Sequence, residues 1–128
     1  RANEQTWIAV QVESPDAAEH ARAMAAVEGV DMIFFGPGDY SALTGAAGQM
    51  WDAPYVLEAA ERVAKATLAE GKHFGTTTAN SIDHARRLLD MGATFLAGGG
   101  DIGLLKTGWR QMQAQHAALG FEFDNQLD

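Results

Sequence analysis

The feature that most constrains the fold of this chain is a run of four short apolar segments, each followed by a stretch with helical spacing. The apolar segments predict strands over residues 6–13, 30–35, 73–77 and 94–98. A turn residue such as Gly29, Gly71 or Gly92 separates most of the units. Short apolar strands that alternate with helices are typical of a parallel sheet covered by helices. We therefore expect an α/β fold.

The predicted helices have recognisable beginnings and apolar stripes. Ser14 is a suitable cap for the first helix, with Pro15 in its first position. Asn80 and Asp83 form a possible capping pair for the helix that follows the third strand. The predicted stripes face the sheet and consist of Ala18, Ala21, Met24 and Ala25 in the first helix and Val56, Ala60, Val63, Ala64 and Thr67 in the second.

Two architectures are compatible with this pattern. A complete flavodoxin-like open sheet can be built from about this length. The other is one half of a (β/α)₈ barrel, whose usual length is about 250 residues. No linker or low-complexity segment divides the chain, so residues 1–128 are predicted to form a single domain, complete in the first case and partial in the second.

Composition excludes several classes of function. The net charge is −8 and the nine Lys and Arg residues are scattered, which argues against nucleic acids and anionic membranes as partners. No apolar run approaches the roughly 20 residues that span a bilayer. The chain has no cysteine, which excludes a thiolate metal site and fits a cytoplasmic protein.

Two carboxylates are predicted to lie together at the carboxyl edge of the sheet, where α/β folds bind ligands. Gln11 and Glu13 share one face of the first strand, because side chains alternate along a strand. Asp39 follows the second strand, and neighbouring strands lie ~4.8 Å apart. Carboxylates so placed repel each other unless a cation lies between them or one is protonated. Mg²⁺ accepts such a pair and completes its octahedron with water and substrate oxygens.

The segment Gly36-Pro37-Gly38 beside Asp39 predicts a turn that exposes the amides of Gly38 and Asp39. A metal ion next to exposed amides suits a 2-oxo acid, with its keto oxygen on the metal and its carboxylate on the amides. The metal would act as a Lewis acid for the enolate that forms when a neighbouring proton or carbon is lost.

Simpler interpretations exist for each motif taken alone. A glutamate at a strand end is usually solvated or paired with Lys or Arg, and "GPGD" is usually a tight turn. The joint placement at consecutive strand ends favours a site. None of the four histidines is expected to be catalytic, because His20, His84 and His116 fall in predicted helices and His73 begins its strand.

These motifs resemble the HpcH/HpaI family of metal-dependent pyruvate aldolases. The resemblance is carried by "AVQVES", "VEGVDMIFFGPGDYSALTG", "GKHFGTTTA" and "MGATFLAGGGDIGLL", in this order and over residues 3–119. The "GPGDY" motif is similar to the macrophomate synthase branch. The resemblance implies that the chain is the C-terminal half of a (β/α)₈ TIM barrel, its last four βα units.

The resemblance also implies roles for individual residues. Glu13 and Asp39 match metal ligands for Mg²⁺, with Mn²⁺ or Co²⁺ as alternatives. Gln11 matches a polar residue near bound pyruvate, and Gly38 and Asp39 match the amides that hold its carboxylate. Thr77 stands where many members place an apolar residue that lines the aldehyde pocket. The catalytic arginine and histidine of the family lie in the first half of the barrel, so no catalytic residue is identified in this chain.

The implied reaction is aldol cleavage or formation of a 4-hydroxy-2-oxo acid, with pyruvate or oxaloacetate and an aldehyde as small-molecule partners. Oxaloacetate decarboxylation is an alternative within the family, and a non-catalytic flavodoxin-like binding domain is the alternative outside it. A half barrel has two open edges, so the missing N-terminal half of the barrel is an expected partner. Homo-oligomers are also expected, with the last helix and Trp109 packing on a neighbour.

Overall fold

The computed structural model describes residues 2–78 and 81–122, with two compact units divided between Gly98 and Gly99. The first unit contains the whole sheet, and the second contains the last helix. The expectation of a single partial domain over residues 1–128 stays a prediction. Within the described residues, no helix is long and apolar enough to cross a membrane.

Strands and helices alternate from β1 onward. In chain order the elements are α1 (Ala2–Gln5), β1 (Ala9–Val12), α2 (Pro15–Glu19), α3 (Ala21–Ala25), β2 (Met32–Phe35), α4 (Pro37–Leu43), a 3₁₀ turn (Met50–Asp52), α5 (Pro54–Ala69), β3 (His73–Thr77), α6 (Ile82–Asp90), β4 (Ala93–Ala97) and α7 (Asp101–Ala117). The strands lie in the order β1-β2-β3-β4, and every neighbouring pair is parallel. The prediction of a parallel α/β fold is confirmed.

The core lies between one face of the sheet and the helices. Its largest fully buried apolar side chains are Phe35, Phe74, Ile33, Leu88, Val12, Val56 and Val63. The buried face of α5 contains all the residues of its predicted stripe. Two buried threonines are satisfied by backbone carbonyls, since Thr67 donates to Val63 O at 2.7 Å and Thr76 to Phe35 O at 2.8 Å.

Several element boundaries differ from the prediction, most clearly in β1, in the first helix and before α6. The first strand begins at Ala9, because the Asp31 carboxylate accepts a hydrogen bond from the Ile8 amide at 2.8 Å in place of a neighbouring strand. The first helix is divided at His20 into α2 and α3. Ser81 caps α6 by accepting a hydrogen bond from the His84 amide, whereas Asn80 lies outside the described residues.

Helix α7 in the second unit shows its apolar side chains to solvent. The exposed large side chains of this helix are Ile102, Leu104, Leu105, Trp109 and Met112. A helix with so many exposed apolar groups is typical of an element that packs against another surface.

Candidate active site

The carboxyl edge of the sheet presents one row of residues on the face opposite the core. Val12 lies opposite Phe35, and Phe35 lies opposite Thr76. The next residues along these strands are therefore Glu13, Gly36 and Thr77. Because successive residues of a strand face opposite sides of the sheet, these three lie on the face away from the buried side chains. Neighbouring strands lie ~4.8 Å apart, so Glu13 and Thr77 stand at the two ends of a short row with Gly36 between them.

Glu13 is held by an amide and not by a cation. The Nε2 atom of Gln11 donates a hydrogen bond to Oε2 of Glu13 at 2.7 Å. Glu13 is half-buried, and no Lys or Arg within residues 2–78 and 81–122 forms an ion pair with it. The interpretation of Glu13 as one half of an ordinary ion pair is therefore excluded for the described part of the chain.

Gly36 leaves no room for a side chain beside this pair. A methyl group on Gly36 would lie 2.9 Å from Nε2 of Gln11 and 3.1 Å from Cβ of Glu13. Its backbone angles, φ −98° and ψ 90°, are ordinary for any residue. The need for glycine is therefore steric, since the space a side chain would take is occupied by Gln11 and Glu13.

Asp39 lies in the first turn of α4 and not in a loop, which corrects the predicted turn. Pro37 occupies the first position of the helix, where its fixed φ and missing N–H are tolerated. The amides of Gly38 and Asp39 therefore belong to a helix start, where N–H groups have no partner within the helix. The exposed Asp39 carboxylate has neither a hydrogen bond nor an ion pair to any described residue.

These groups suit a hard divalent ion. Glu13 and Asp39 supply carboxylate oxygens from neighbouring strand ends, and neither is neutralised by a described cationic side chain. In the part of the chain that the structure describes, no cluster of three or more His, Cys, Asp or Glu side chains could hold a metal ion. Two carboxylates with substrate and water oxygens are a ligand set typical of Mg²⁺.

Thr77 ends β3 in the same row, and its surroundings were not predicted. Its Oγ1 atom is buried and has no hydrogen-bond partner among the described residues. The indole of Trp51 donates a hydrogen bond to the Thr77 carbonyl oxygen at 3.1 Å. The ring of His84 lies 4.8 Å from that of Trp51. No sequence pattern pointed to Trp51 or His84, because their contacts join separate segments.

The four histidines stand in different elements of the chain. His73 is the first residue of β3 and stacks on Trp7 with ring centroids 4.8 Å apart. His84 and His116 lie in α6 and α7, whereas His20 stands between α2 and α3. Burial lowers the pKa of His84 below its ordinary value of 6.5, and the positive charge of Arg87 lowers it further.

The low pKa of His84 predicts that acid destabilises the fold. The unfolded chain takes up a proton at this residue near pH 6.5, before the folded chain does, so stability falls as the pH drops through and below that value. Replacing His84 by Phe keeps a ring against Trp51 but removes this titration. We expect the urea concentration at the midpoint of unfolding to fall less for His84→Phe than for the wild type when the pH is lowered from about 7.5 to about 5.5.

The control for this prediction is His20→Gln, which removes an exposed imidazole at a helix junction. If His84→Phe and the wild type show the same pH dependence, the titration of His84 does not contribute to acid sensitivity.

Comparisons with known proteins find similar sequences and structures. The HpcH/HpaI aldolase/citrate lyase family model matches residues 1–107. A hydroxypyruvate/pyruvate aldolase of Delftia acidovorans is 47% identical over 119 residues, which are 93% of this chain and 41% of the relative. A 5-keto-4-deoxy-D-glucarate aldolase of Escherichia fergusonii is 38% identical over 112 residues, which are 88% of this chain and 43% of the relative.

Among solved structures, macrophomate synthase superposes with a TM-score of 0.70 and 26% identity, over 94% of this chain and 42% of that one. The chain thus spans less than half the length of the proteins it matches. The predicted architecture, half of a (β/α)₈ barrel, is confirmed.

Proposed function

Because the chain belongs to the HpcH/HpaI aldolase/citrate lyase family, we propose that the protein is a divalent-metal-dependent carbon–carbon lyase, an aldolase that cleaves or forms 4-hydroxy-2-oxo acids. Its donor substrate would be a 2-oxo acid such as pyruvate or oxaloacetate, and its acceptor an aldehyde. Membership in this family argues against the flavodoxin-like alternative.

The observation that carries the proposal is the pair of carboxylates without described cationic partners at the ends of β1 and β2. Glu13 is half-buried beside Gly36, and Asp39 stands in the first turn of the helix that follows β2. A divalent ion held by these two residues would neutralise both charges. When bound, it would polarise the substrate keto group and stabilise the negative charge that develops on its oxygen.

Three residues beside the row, Gln11, Gly38 and Asp39, have binding and orienting roles in this proposal. Gln11 donates its amide hydrogen to Glu13 and so fixes the direction of that carboxylate. The amides of Gly38 and Asp39 at the start of α4 would donate hydrogen bonds to the substrate carboxylate. The groups that move protons would come from the remainder of the barrel.

Thr77 is proposed to face the aldehyde part of the substrate. Its buried Oγ1 has no described partner and can donate a hydrogen bond to, or accept one from, a hydroxyl group on the acceptor. One relative is named for 5-keto-4-deoxy-D-glucarate, a compound that carries hydroxyl groups. We therefore propose a hydroxylated aldehyde as the acceptor class.

The exposed surfaces of the chain support two protein partners. Gln11 and Phe95 are exposed on the sheet face that a complete barrel fills with side chains, so the first half of the barrel is the proposed complement. The exposed apolar side of α7, with Trp109 62% accessible, supports packing on a second copy in a homo-oligomer. The cytoplasmic location stays a prediction.

The test is Mn²⁺ binding by the complete protein, measured by electron paramagnetic resonance. We expect Mn²⁺ to bind and pyruvate to change the spectrum of the bound ion, because a keto oxygen replaces water next to the metal. Acetate, which has a carboxylate but no keto group, is the control and should cause a smaller change. Free Mn²⁺ under all of these conditions would contradict the metal-dependent mechanism.

A further inference from the structure

The contact of Trp51 with the last residue of β3 joins a loop to the candidate site. Trp51 lies in the 3₁₀ turn between α4 and α5, and its Nε1 atom donates to the Thr77 carbonyl oxygen at 3.1 Å. The two residues are 26 positions apart in the sequence. This hydrogen bond holds the backbone at the far end of the row that begins with Glu13.

The indole is fixed by rings on two sides. Its centroid lies 6.1 Å from that of Phe35, which is fully buried in the core at the end of β2. The His84 ring lies 4.8 Å away at an interplanar angle of 51°. Because Phe35 cannot move without disturbing the core, the indole has a defined place from which to orient Thr77.

The backbone next to Trp51 is also constrained. Met50 has φ +42°, which makes it the one residue other than glycine with a positive φ in the described ranges. A left-handed conformation at a methionine costs free energy, so surrounding contacts must hold it there. The 3₁₀ turn is therefore placed by surrounding contacts, and two contacts of Trp51 reach the sheet: the hydrogen bond to Thr77 and the ring contact with Phe35.

We infer that Trp51 is a positioning residue that sets the specificity of the site for the aldehyde part of the substrate, an inference that rests on the proposed aldolase function. It acts by holding the backbone of Thr77, whose buried Oγ1 has no described protein partner and is proposed to contact the acceptor. A change at Trp51 alters the choice between hydroxylated and plain acceptors. It leaves the chemistry of the 2-oxo acid, at the Glu13 end of the row, unchanged.

The decisive variant is Trp51→Phe, which keeps a six-membered aromatic ring between Phe35 and His84 and removes the N–H donor together with the smaller ring of the indole. Two rates are measured on the complete protein with Mg²⁺. The first is exchange of the pyruvate methyl hydrogens in D₂O, which needs no aldehyde. The second is cleavage of two 4-hydroxy-2-oxo acids, one with a hydroxylated and one with a plain aldehyde part. It is expressed as the kcat/KM for the hydroxylated compound divided by the kcat/KM for the plain one.

We expect Trp51→Phe to keep the exchange rate within about twofold of the wild type and to lower the ratio by about two- to tenfold, the range for one neutral hydrogen bond. The matched control is Trp7→Phe, which alters an exposed indole at the opposite edge of the sheet and should change neither rate. An unchanged ratio in Trp51→Phe overturns the inference alone. Absence of exchange in the wild type overturns the proposed function, and the inference with it.

A second measurement uses the wild type, so its result does not depend on whether Trp51→Phe folds. The indole N–H signals of Trp7, Trp51 and Trp109 are recorded by NMR with the protein in Mg²⁺ and oxalate. Addition of glyceraldehyde, a hydroxylated aldehyde, is expected to shift the Trp51 signal and leave the other two in place. A Trp51 signal that does not respond, or three signals that shift together, contradicts a specific role for this residue.

Discussion

Asp39→Asn and Glu13→Gln are each expected to lower the affinity of the complete protein for Mn²⁺ by at least about 100-fold. Loss of a residue that only supports a metal ligand costs about 10- to 100-fold, so loss of a ligand charge should cost at least the upper value. The expected loss is large because only two carboxylates hold the ion in this proposal, and no other described acidic or histidine side chain can replace them. Titration calorimetry and electron paramagnetic resonance measure the affinity directly.

The fold should survive both substitutions. Asp39 is exposed, and Glu13 is half-buried with an amide as its hydrogen-bond partner, so neither change removes an ion pair among the described residues. The control is Asp16→Asn, which removes an acid from the first turn of α2, as Asp39→Asn does from α4. Wild-type affinity in either site variant would mean that this carboxylate is structural, and the metal-dependent mechanism would have to be abandoned.

The alternation of strands with helices and the buried helix faces were predictable because they depend on local periodicity. Alternation within β1 placed Gln11 and Glu13 on the face that does not pack against the helices, and the structure has them there, joined by a hydrogen bond. The stripe of α5 follows from the spacing of its apolar residues in the same way. Both results need only the geometry of a strand and of a helix.

The segment between β2 and α5 was predicted less well. Pro37 followed by Gly38 is typical of a tight turn, but proline in the first position and an acid in the first turn are equally typical of a helix start. The helix forms because the chain after Pro37 can bury Tyr40 and Ser41 against the core. Burial of this kind depends on the assembled sheet and leaves no periodic signal in seven residues.

Trp51 could not have been assigned from the sequence. Its partners Phe35, Thr77 and His84 lie in three separate elements, and only the fold brings them together. The steric role of Gly36 was closer to prediction. Once β1 and β2 are known to be neighbours in register, the residue opposite Glu13 is Gly36, and the crowding of Gln11 against it follows from side-chain lengths.

Gly36→Ala is expected to weaken Mn²⁺ binding about 10- to 100-fold, the usual range for loss of an orienting residue. It should destabilise the fold by only about 1 kcal/mol, the low end of the overpacking range, because the Gln11 side chain is exposed and flexible. The added methyl group would lie 2.9 Å from Nε2 of Gln11, which must turn away from Glu13. Backbone strain contributes nothing, because φ at Gly36 is −98°. Mn²⁺ titration and urea denaturation measure the two effects.

The matched control is Gly38→Ala, two residues further along the same segment, where no atom lies within 4 Å of an added methyl group. Alanine is favoured over glycine in a helix by about 0.5–1 kcal/mol, so Gly38→Ala should be as stable as the wild type or slightly more stable. Its Mn²⁺ affinity should not change. Equal losses in both variants would show that the effect belongs to any substitution in this segment and not to the contact with Gln11.

The double variant Gly36→Ala with Gln11→Ala separates the two consequences of Gly36→Ala, the loss of stability and the loss of Mn²⁺ affinity. Without the Gln11 amide, the methyl group at position 36 meets only the Glu13 side chain, 3.1 Å from its Cβ atom, so only the part of the lost stability that comes from Gln11 should return. Mn²⁺ affinity should stay low, because the donor that orients the Glu13 carboxylate is then absent. If affinity returned together with stability, Gln11 would be only a steric neighbour of Gly36, and the orientation of Glu13 would have to come from the metal and the remainder of the barrel.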